Sequence, residues 1–165
     1  MGFWKAWKLK WTKLDTHIYI EKLSYYNLKK RIKKNEGFSI KPYKDKLGFL
    51  TIGYGHLILK NEKHLLKKKL KKTDLEIIFK KDFNKAVMEF NVSLRRFTSN
   101  KRDVELLIEM VFQIGIRGVL KFKNLLKNMS KENRHLVCFE MMDSLWYKQT
   151  PMRVKELINI FLKNE

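Results

Sequence analysis

The sequence holds a single cysteine, so no intrachain disulfide can form and nothing in the fold depends on an oxidising compartment. That residue, Cys138, lies in the run Leu136-Val137-Cys138-Phe139 and is expected to be a buried small hydrophobe. The four histidines and the cysteine show no zinc-ligand spacing, so no metal is expected, and no other cofactor. With only two prolines, no Pro/Ser-rich linker divides the chain. No apolar run approaches the ~20 residues needed to span a bilayer. Lysines interrupt the N-terminal apolar residues, so the continuous core of a signal peptide is not expected there. Acidic residues are scarce: 17 Asp and Glu stand against 37 Lys and Arg, a formal net charge of +20.

What is present supports a folded chain. Hydrophobic residues make up 44% and aromatics 13%, enough for a buried core despite 33% charged residues. A length of 165 residues suits one domain, or two small lobes sharing a core. The positive excess favours anionic partners: nucleic acid, acidic lipid, or the anionic polymers of a bacterial envelope. No helix-turn-helix, finger or RNP-type signature accompanies it, so a nucleic-acid partner is not expected.

Residues 1–19 read as a basic arm. Trp4, Trp7, Trp11 and Leu14 recur on one helical face, with Lys5, Lys8, Lys10 and Lys13 filling much of the rest. That composition suits contact of residues 1–15 with a membrane surface or anionic envelope polymers. Packing of the tryptophans on the protein body, or a leader foreign to the fold, are the alternatives. A helix is expected over residues 24–35, ended near Glu36 by Gly37. From Lys41 to Leu57, alternating aromatic and β-branched residues predict a hairpin or small three-stranded sheet. Beyond Leu57 the pattern is helical. Thr73-Asp74-Leu75-Glu76 reads as a capping box opening a long helix to about residue 91, with an apolar stripe of Leu75, Ile78, Phe79, Phe83, Val87 and Phe90. Thr98-Ser99-Asn100 is a break. Arg102 to Phe112 reads as a buried helix, and Gly115 and Gly118 punctuate the stretch after it. Helices are then expected over Phe122–Met129, Lys131–Tyr147 and Pro151–Leu162, the last opened by Pro151 at its first position. The fold class is α+β, mostly α.

The chemistry concentrates between residues 35 and 57. Glu36 stands where a helix ends, facing the negative end of the macrodipole. With partial burial, that setting disfavours ionisation and suits a general acid. The plainer reading is a solvated glutamate beside Lys33 and Lys34. Asp45, between Lys44 and Lys46, can serve as a general base or simply shape a turn. The Thr51 hydroxyl can hold a water, or Thr51 can be an ordinary strand former. Gly53-Tyr54-Gly55 lacks the third glycine of a phosphate loop. It reads instead as a strand where the backbone approaches a neighbour or ligand closely. Two carboxyl groups in different settings are the minimum equipment for hydrolysis of a glycosidic bond.

Together, Glu36-Gly37, Tyr43-Lys44-Asp45, Gly48 and Thr51-Ile52-Gly53-Tyr54-Gly55-His56 resemble the phage-type lysozymes of the T-even endolysin family, glycoside hydrolase family 24. Met110-Val111-Phe112-Gln113-Ile114-Gly115 resembles that family's central helix. Trp146-Tyr147-Lys148-Gln149-Thr150-Pro151-Met152-Arg153 resembles its late helix pair. The resemblance covers roughly residues 20–162. It implies a two-lobed lysozyme-like fold: a small hairpin lobe at about 37–72, and a helical lobe at about 92–165 with helix 24–35, joined by the long helix. Residues 20–165 would form the catalytic domain. The implied activity is N-acetylmuramidase hydrolysis of bacterial peptidoglycan by an inverting mechanism, with lysis as its consequence.

The resemblance assigns roles residue by residue. Glu36 would be the general acid, and Asp45 and Thr51 would position the attacking water. Arg153 would pair with the acid. His56 and Asp82 would form a structural ion pair between strand and long helix. Leu57 and Phe112 would contact substrate. The segment between His56 and Asp82 is shorter than in the T-even enzymes, and Leu125 and Glu140 replace small polar residues. Peptidoglycan is the expected partner of a monomeric enzyme. The expected location is the host bacterial cytoplasm, with release to the wall through a separate pore protein, or export as a toxin. The competing function is a non-catalytic cationic envelope or membrane binder on the same fold.

Overall fold

The structure is a computed structural model and describes residues 25–45, 48–67 and 69–163. The expected Trp/Lys arm lies outside them. Helix α1 spans Tyr26–Glu36 and buries Leu28 and Ile32, four positions apart on one face; Lys30 and Lys34 are exposed, whereas Lys29 and Lys33 lie over the rings of Phe83 and Phe79. It stops where expected. Gly37 takes φ +71°, open mainly to glycine, and its N–H still reaches the Lys33 carbonyl at 3.2 Å.

Three antiparallel strands come next in the order β1-β2-β3: Ser39–Lys44, Leu50–Gly53 and His56–Leu57. Pro42, which has no N–H to give a ladder, falls in the irregular stretch of β1 between Ser39 and Tyr43. The register sets Tyr43 opposite Thr51, and Thr51 opposite Leu57, so these three share one sheet face. Ile52 and His56 share the other. Ile52 is fully buried there in a small cluster with Leu65, Leu70 and Leu75. Leu65 comes from the short helix α2, His64–Lys67.

Helix α3, Lys72–Ser93, has 22 residues and is ~33 Å long at 1.5 Å per residue. Leu75 belongs to the small cluster, whereas Phe79, Phe83, Ala86 and Phe90 belong to the main core, so α3 ties the two together. Its start differs from the expected capping box. The helix begins at Lys72, placing Thr73 inside the first turn. The Asp74 carboxylate accepts the Lys71 N–H at 2.9 Å, so Asp74 performs the capping. Glu76 is drawn away by tertiary partners: it accepts from the Tyr54 hydroxyl at 2.7 Å and pairs with Lys33.

Helix α4, Lys101–Val119, runs through the main core and buries Val104, Leu106, Leu107, Ile108, Met110 and Val111. Asn100 caps it, accepting the Arg102 N–H at 3.0 Å. Gly115, at φ 70° and ψ 161°, kinks it near its end, whereas Gly118 stays helical. Helices α5, Lys123–Ser130, and α6, Arg134–Met142, close the lobe. Leu125 is fully buried on α5, and Cys138 is buried on α6, as expected of a small hydrophobe. The single helix expected over Lys131–Tyr147 is in fact two. The Ser144 hydroxyl donates to the Met141 carbonyl at 2.6 Å and accepts the Tyr147 N–H at 3.0 Å, ending one helix and capping the next. That next helix is α7, Leu145–Gln149. Helix α8, Pro151–Leu162, carries Pro151 in its first turn, as the sequence indicated.

Candidate active site

Glu36 is the last residue of α1, and its side chain is 20% exposed. Arg153, in the first turn of α8, donates from Nη1 to Glu36 Oε1 at 2.7 Å. The α8 start is fixed from α4: Trp146 Nε1 donates to Gln113 Oε1 at 2.9 Å, and Gln113 Nε2 reaches Thr150 Oγ1 at 3.4 Å. Gln113, Trp146 and Thr150 thus join the two late motif blocks and set the position of Arg153.

Gly55 presses on the same carboxylate. It sits at φ +81°, and a Cβ there would stand 3.0 Å from Glu36 Oε2. Gly53 likewise lies close to Leu75, whose side chain would meet a Cβ at 3.4 Å. Both glycines allow the close backbone approach expected of them, although the stretch read as one strand is the end of β2 at Gly53 and a turn at Tyr54 and Gly55.

Asp45 opens the turn between β1 and β2. Its Oδ1 accepts the Phe49 N–H at 2.8 Å, and its backbone N–H donates to the Phe49 carbonyl at 2.9 Å. Thr51 is only 4% exposed, and its hydroxyl donates to the Phe49 carbonyl at 3.2 Å. Donation in that direction leaves the Thr51 oxygen lone pairs able to accept from a water. Tyr43, paired with Thr51 across the sheet, links the two carboxylates. Burial pushes its phenol up from the ordinary range, and the negative charges of Glu36 and Asp45 push it the same way. Tyr43 thus pairs with Thr51 across the sheet and lies within the fields of both Glu36 and Asp45.

Leu57 and Phe112 line a cleft of about 460 Å³ together with Gly55, His56 and Asp82. Glu36 and Asp45 do not line that hollow; Gly55 connects it to Glu36. His56 Nδ1 lies 2.8 Å from Asp82 Oδ2, tying β3 to α3. The hydrogen bond to Asp82 pushes the His56 pKa up against the opposing effect of burial. His56 Nε2 also lies 3.1 Å from Glu62 Oε2. Burial would raise the Glu62 carboxyl, but the Leu59 N–H and His56 outweigh it and hold it below the usual range. Beside this, burial and the bond to Glu76 push the Tyr54 phenol up to about 12. Of the two departures named from the sequence, Glu140 lines a second cleft, between α5 and α7, while Leu125 is inside the core.

Sequence reasoning passed over Glu62, Gly55 as a neighbour of Glu36, and Glu109. The last carried a signal: one carboxylate within the apolar run Leu106-Leu107-Ile108-Glu109-Met110-Val111 needs a buried partner. Among the described residues, no group of three or more His, Cys, Asp or Glu side chains could hold a metal ion.

The phage lysozyme family model matches residues 33–159 of the chain. "Probable T4-type lysozyme 2" of Dictyostelium discoideum is 32% identical over 160 residues, covering 82% of this chain and 93% of that protein. "Probable T4-type lysozyme 1" of the same organism is 32% identical over 157 residues, covering 81% and 92%. The pre-baseplate central spike protein Gp5 of Enterobacteria phage T4 is 28% identical over an alignment of 155 residues that covers 79% of this chain and 27% of that protein. On its motifs, its α+β architecture and these relatives, the chain belongs to the phage lysozyme family and is a glycoside hydrolase, a muramidase.

Proposed function

We propose that the protein hydrolyses the β-1,4 bond between N-acetylmuramic acid and N-acetylglucosamine in bacterial peptidoglycan, with inversion at the anomeric carbon. Glu36 gives its proton to the glycosidic oxygen as the bond from that oxygen to the muramic-acid anomeric carbon breaks. A water attacks the opposite face of that carbon. Asp45 accepts a proton from the water, and the Thr51 oxygen orients it. The Arg153 guanidinium receives the charge that appears on Glu36 after proton loss. The observation that carries this reading is the Glu36 carboxylate at the end of α1, held between Arg153 and Gly55. Leu57 and Phe112, lining the neighbouring cleft, offer apolar surface to the sugar rings. The net charge of +20 concentrates the enzyme on an anionic wall, whose cleavage leads to lysis.

Analysis of the freshly released products tests the bond and the stereochemistry together. New reducing ends on N-acetylmuramic acid, first appearing as the α-anomer, are expected. Reducing ends on N-acetylglucosamine contradict the bond assignment, and an initial β-anomer contradicts inversion.

A further inference from the structure

Glu109 is fully buried in the middle of α4, among the apolar residues of the main core. A carboxylate in such a place needs compensation by opposite charge. Two guanidiniums supply it from two different helices. Arg31 of α1 donates from Nε to Glu109 Oε2 at 2.7 Å. Arg153 of α8 brings its Nε to 3.7 Å from Glu109 Oε1. The Arg153 group is the one whose Nη1 is bonded to Glu36. Charges therefore alternate in a row from Arg31 to Glu109 to Arg153 to Glu36, across α1, α4 and α8.

The row is secluded. The Arg31 and Arg153 side chains are 12% and 10% exposed, so water screens the charges weakly. Its neighbours are accounted for. Arg31 also approaches Glu105 at 3.8 Å, and Asn35 acts on Glu109 from α1. Lys33 and Lys34, next to Glu36 in sequence, are turned to Glu76 and Glu156. From β1, Tyr43 lies within the field of Glu36, and also of Asp45 in the turn that follows. Arg153 is thus the cation bonded to Glu36, and Glu109 is the second carboxylate sharing it.

Resting on the acid role assigned to Glu36, we propose that Glu109 is a positioning residue for the reaction. It fixes the Arg153 guanidinium with Nη1 toward Glu36, and it takes part of that cation's field onto itself. The Arg153 charge that receives the Glu36 carboxylate is thereby shared between two carboxylates. Burial pushes the Glu109 carboxyl up and outweighs the opposing pull of Arg31, Arg153 and Asn35, so its positioning role rests on the arrangement of the two arginines.

The test is the pH dependence of kcat/KM for peptidoglycan cleavage in wild type, Glu109→Gln and Arg31→Gln, with folding checked by melting. Wild type is measured first; if it releases no reducing ends, the acid role of Glu36 fails, whatever Glu109 does. In Glu109→Gln the whole Arg153 charge falls on Glu36 and favours its ionised form. The alkaline limb should move about half to one pH unit lower, on the scale of charge effects at a few ångströms. kcat near neutrality should fall several-fold, with KM within about twofold, since Glu109 touches no substrate. Arg31→Gln removes the far cation and leaves Glu109 to Arg153 alone, so its alkaline limb should move to higher pH. That variant decides the matter if Glu109→Gln fails to fold. A limb that stays at the wild-type pH in the folded variants overturns the proposal and leaves Glu109 a purely structural charge.

Discussion

Arg153 Nη1 stands 2.7 Å from Glu36 Oε1, joining residues 117 positions apart in sequence. The pair connects the end of α1 to the start of α8, so it holds the acid proposed for the reaction and fastens two helices at once. Replacing Arg153 with Met leaves both Glu36 and the buried Glu109 short of a partner. Loss of one side of a buried pair costs about 3 kcal/mol, and the expected result is a melting temperature roughly 10 °C lower. Activity per folded molecule should fall as well. Urea denaturation and cleavage assays on Arg153→Met and Arg153→Lys check both effects; unchanged stability would mean that the ion pair does not form.

The His56 pair gives a pH signature with a definite sign. Its partners Asp82 and Glu62 raise the His56 pKa above the unfolded value of about 6.5. A raised pKa means that the folded state binds the proton more tightly. The stabilisation is therefore complete below the unfolded pKa, and it is lost as pH rises through the folded one. The advantage of wild type over His56→Asn, about 1–3 kcal/mol at pH 6, should shrink steadily toward pH 9. Urea unfolding across that range measures it. An advantage that grows with pH would contradict the charged His56–Asp82 pair.

Gly55 is the place where a single methyl group reaches the chemistry. Gly55→Ala must hold alanine at φ +81° and set its Cβ 3.0 Å from Glu36 Oε2. The backbone strain alone costs about 1–3 kcal/mol. The displaced carboxylate should lower kcat by at least about tenfold, because proton transfer tolerates little misplacement. Kinetics normalised to folded protein separate the two effects. Full activity per folded molecule would mean that Gly55 serves the backbone alone.

Much of this site was legible because its signals are local. Gly37 ends α1, Pro151 opens α8, and the glycines of Thr51-Ile52-Gly53-Tyr54-Gly55 mark close approach; each arises from the backbone needs of a few residues. Of the two misread helix ends, one had a nonlocal cause and the other a local ambiguity. Glu76 matched a capping box but binds Tyr54 and Lys33, leaving Asp74 to cap α3. The break at Ser144 was hidden because Asp143 and Ser144 can also sit inside a helix. Glu109 was visible only as an oddity in an apolar run, since its partners Arg31 and Arg153 lie 78 and 44 positions away. The periodicity that reveals a buried face does not tell which distant helix answers a buried charge.

The charge excess gives a prediction independent of catalysis. With a net +20, retention on insoluble, anionic cell-wall sacculi should fall steeply between about 50 mM and 300 mM salt, as screening shortens the range of the field. Co-sedimentation in the cold with the Glu36→Gln protein, expected to leave the wall undigested, measures it. Retention independent of salt would assign wall binding to the apolar cleft instead.

Release of reducing ends from purified peptidoglycan by wild type and by Glu36→Gln, compared at equal folded concentration, is the decisive measurement. The substitution keeps the shape and an oxygen that can accept from Arg153, but removes the transferable proton and the charge of the ion pair, so the rate per folded molecule should fall about 10²–10⁴-fold, with some loss of melting temperature from the weakened pair. Equal release by both proteins, or release by neither, would contradict the role of Glu36 as the catalytic acid.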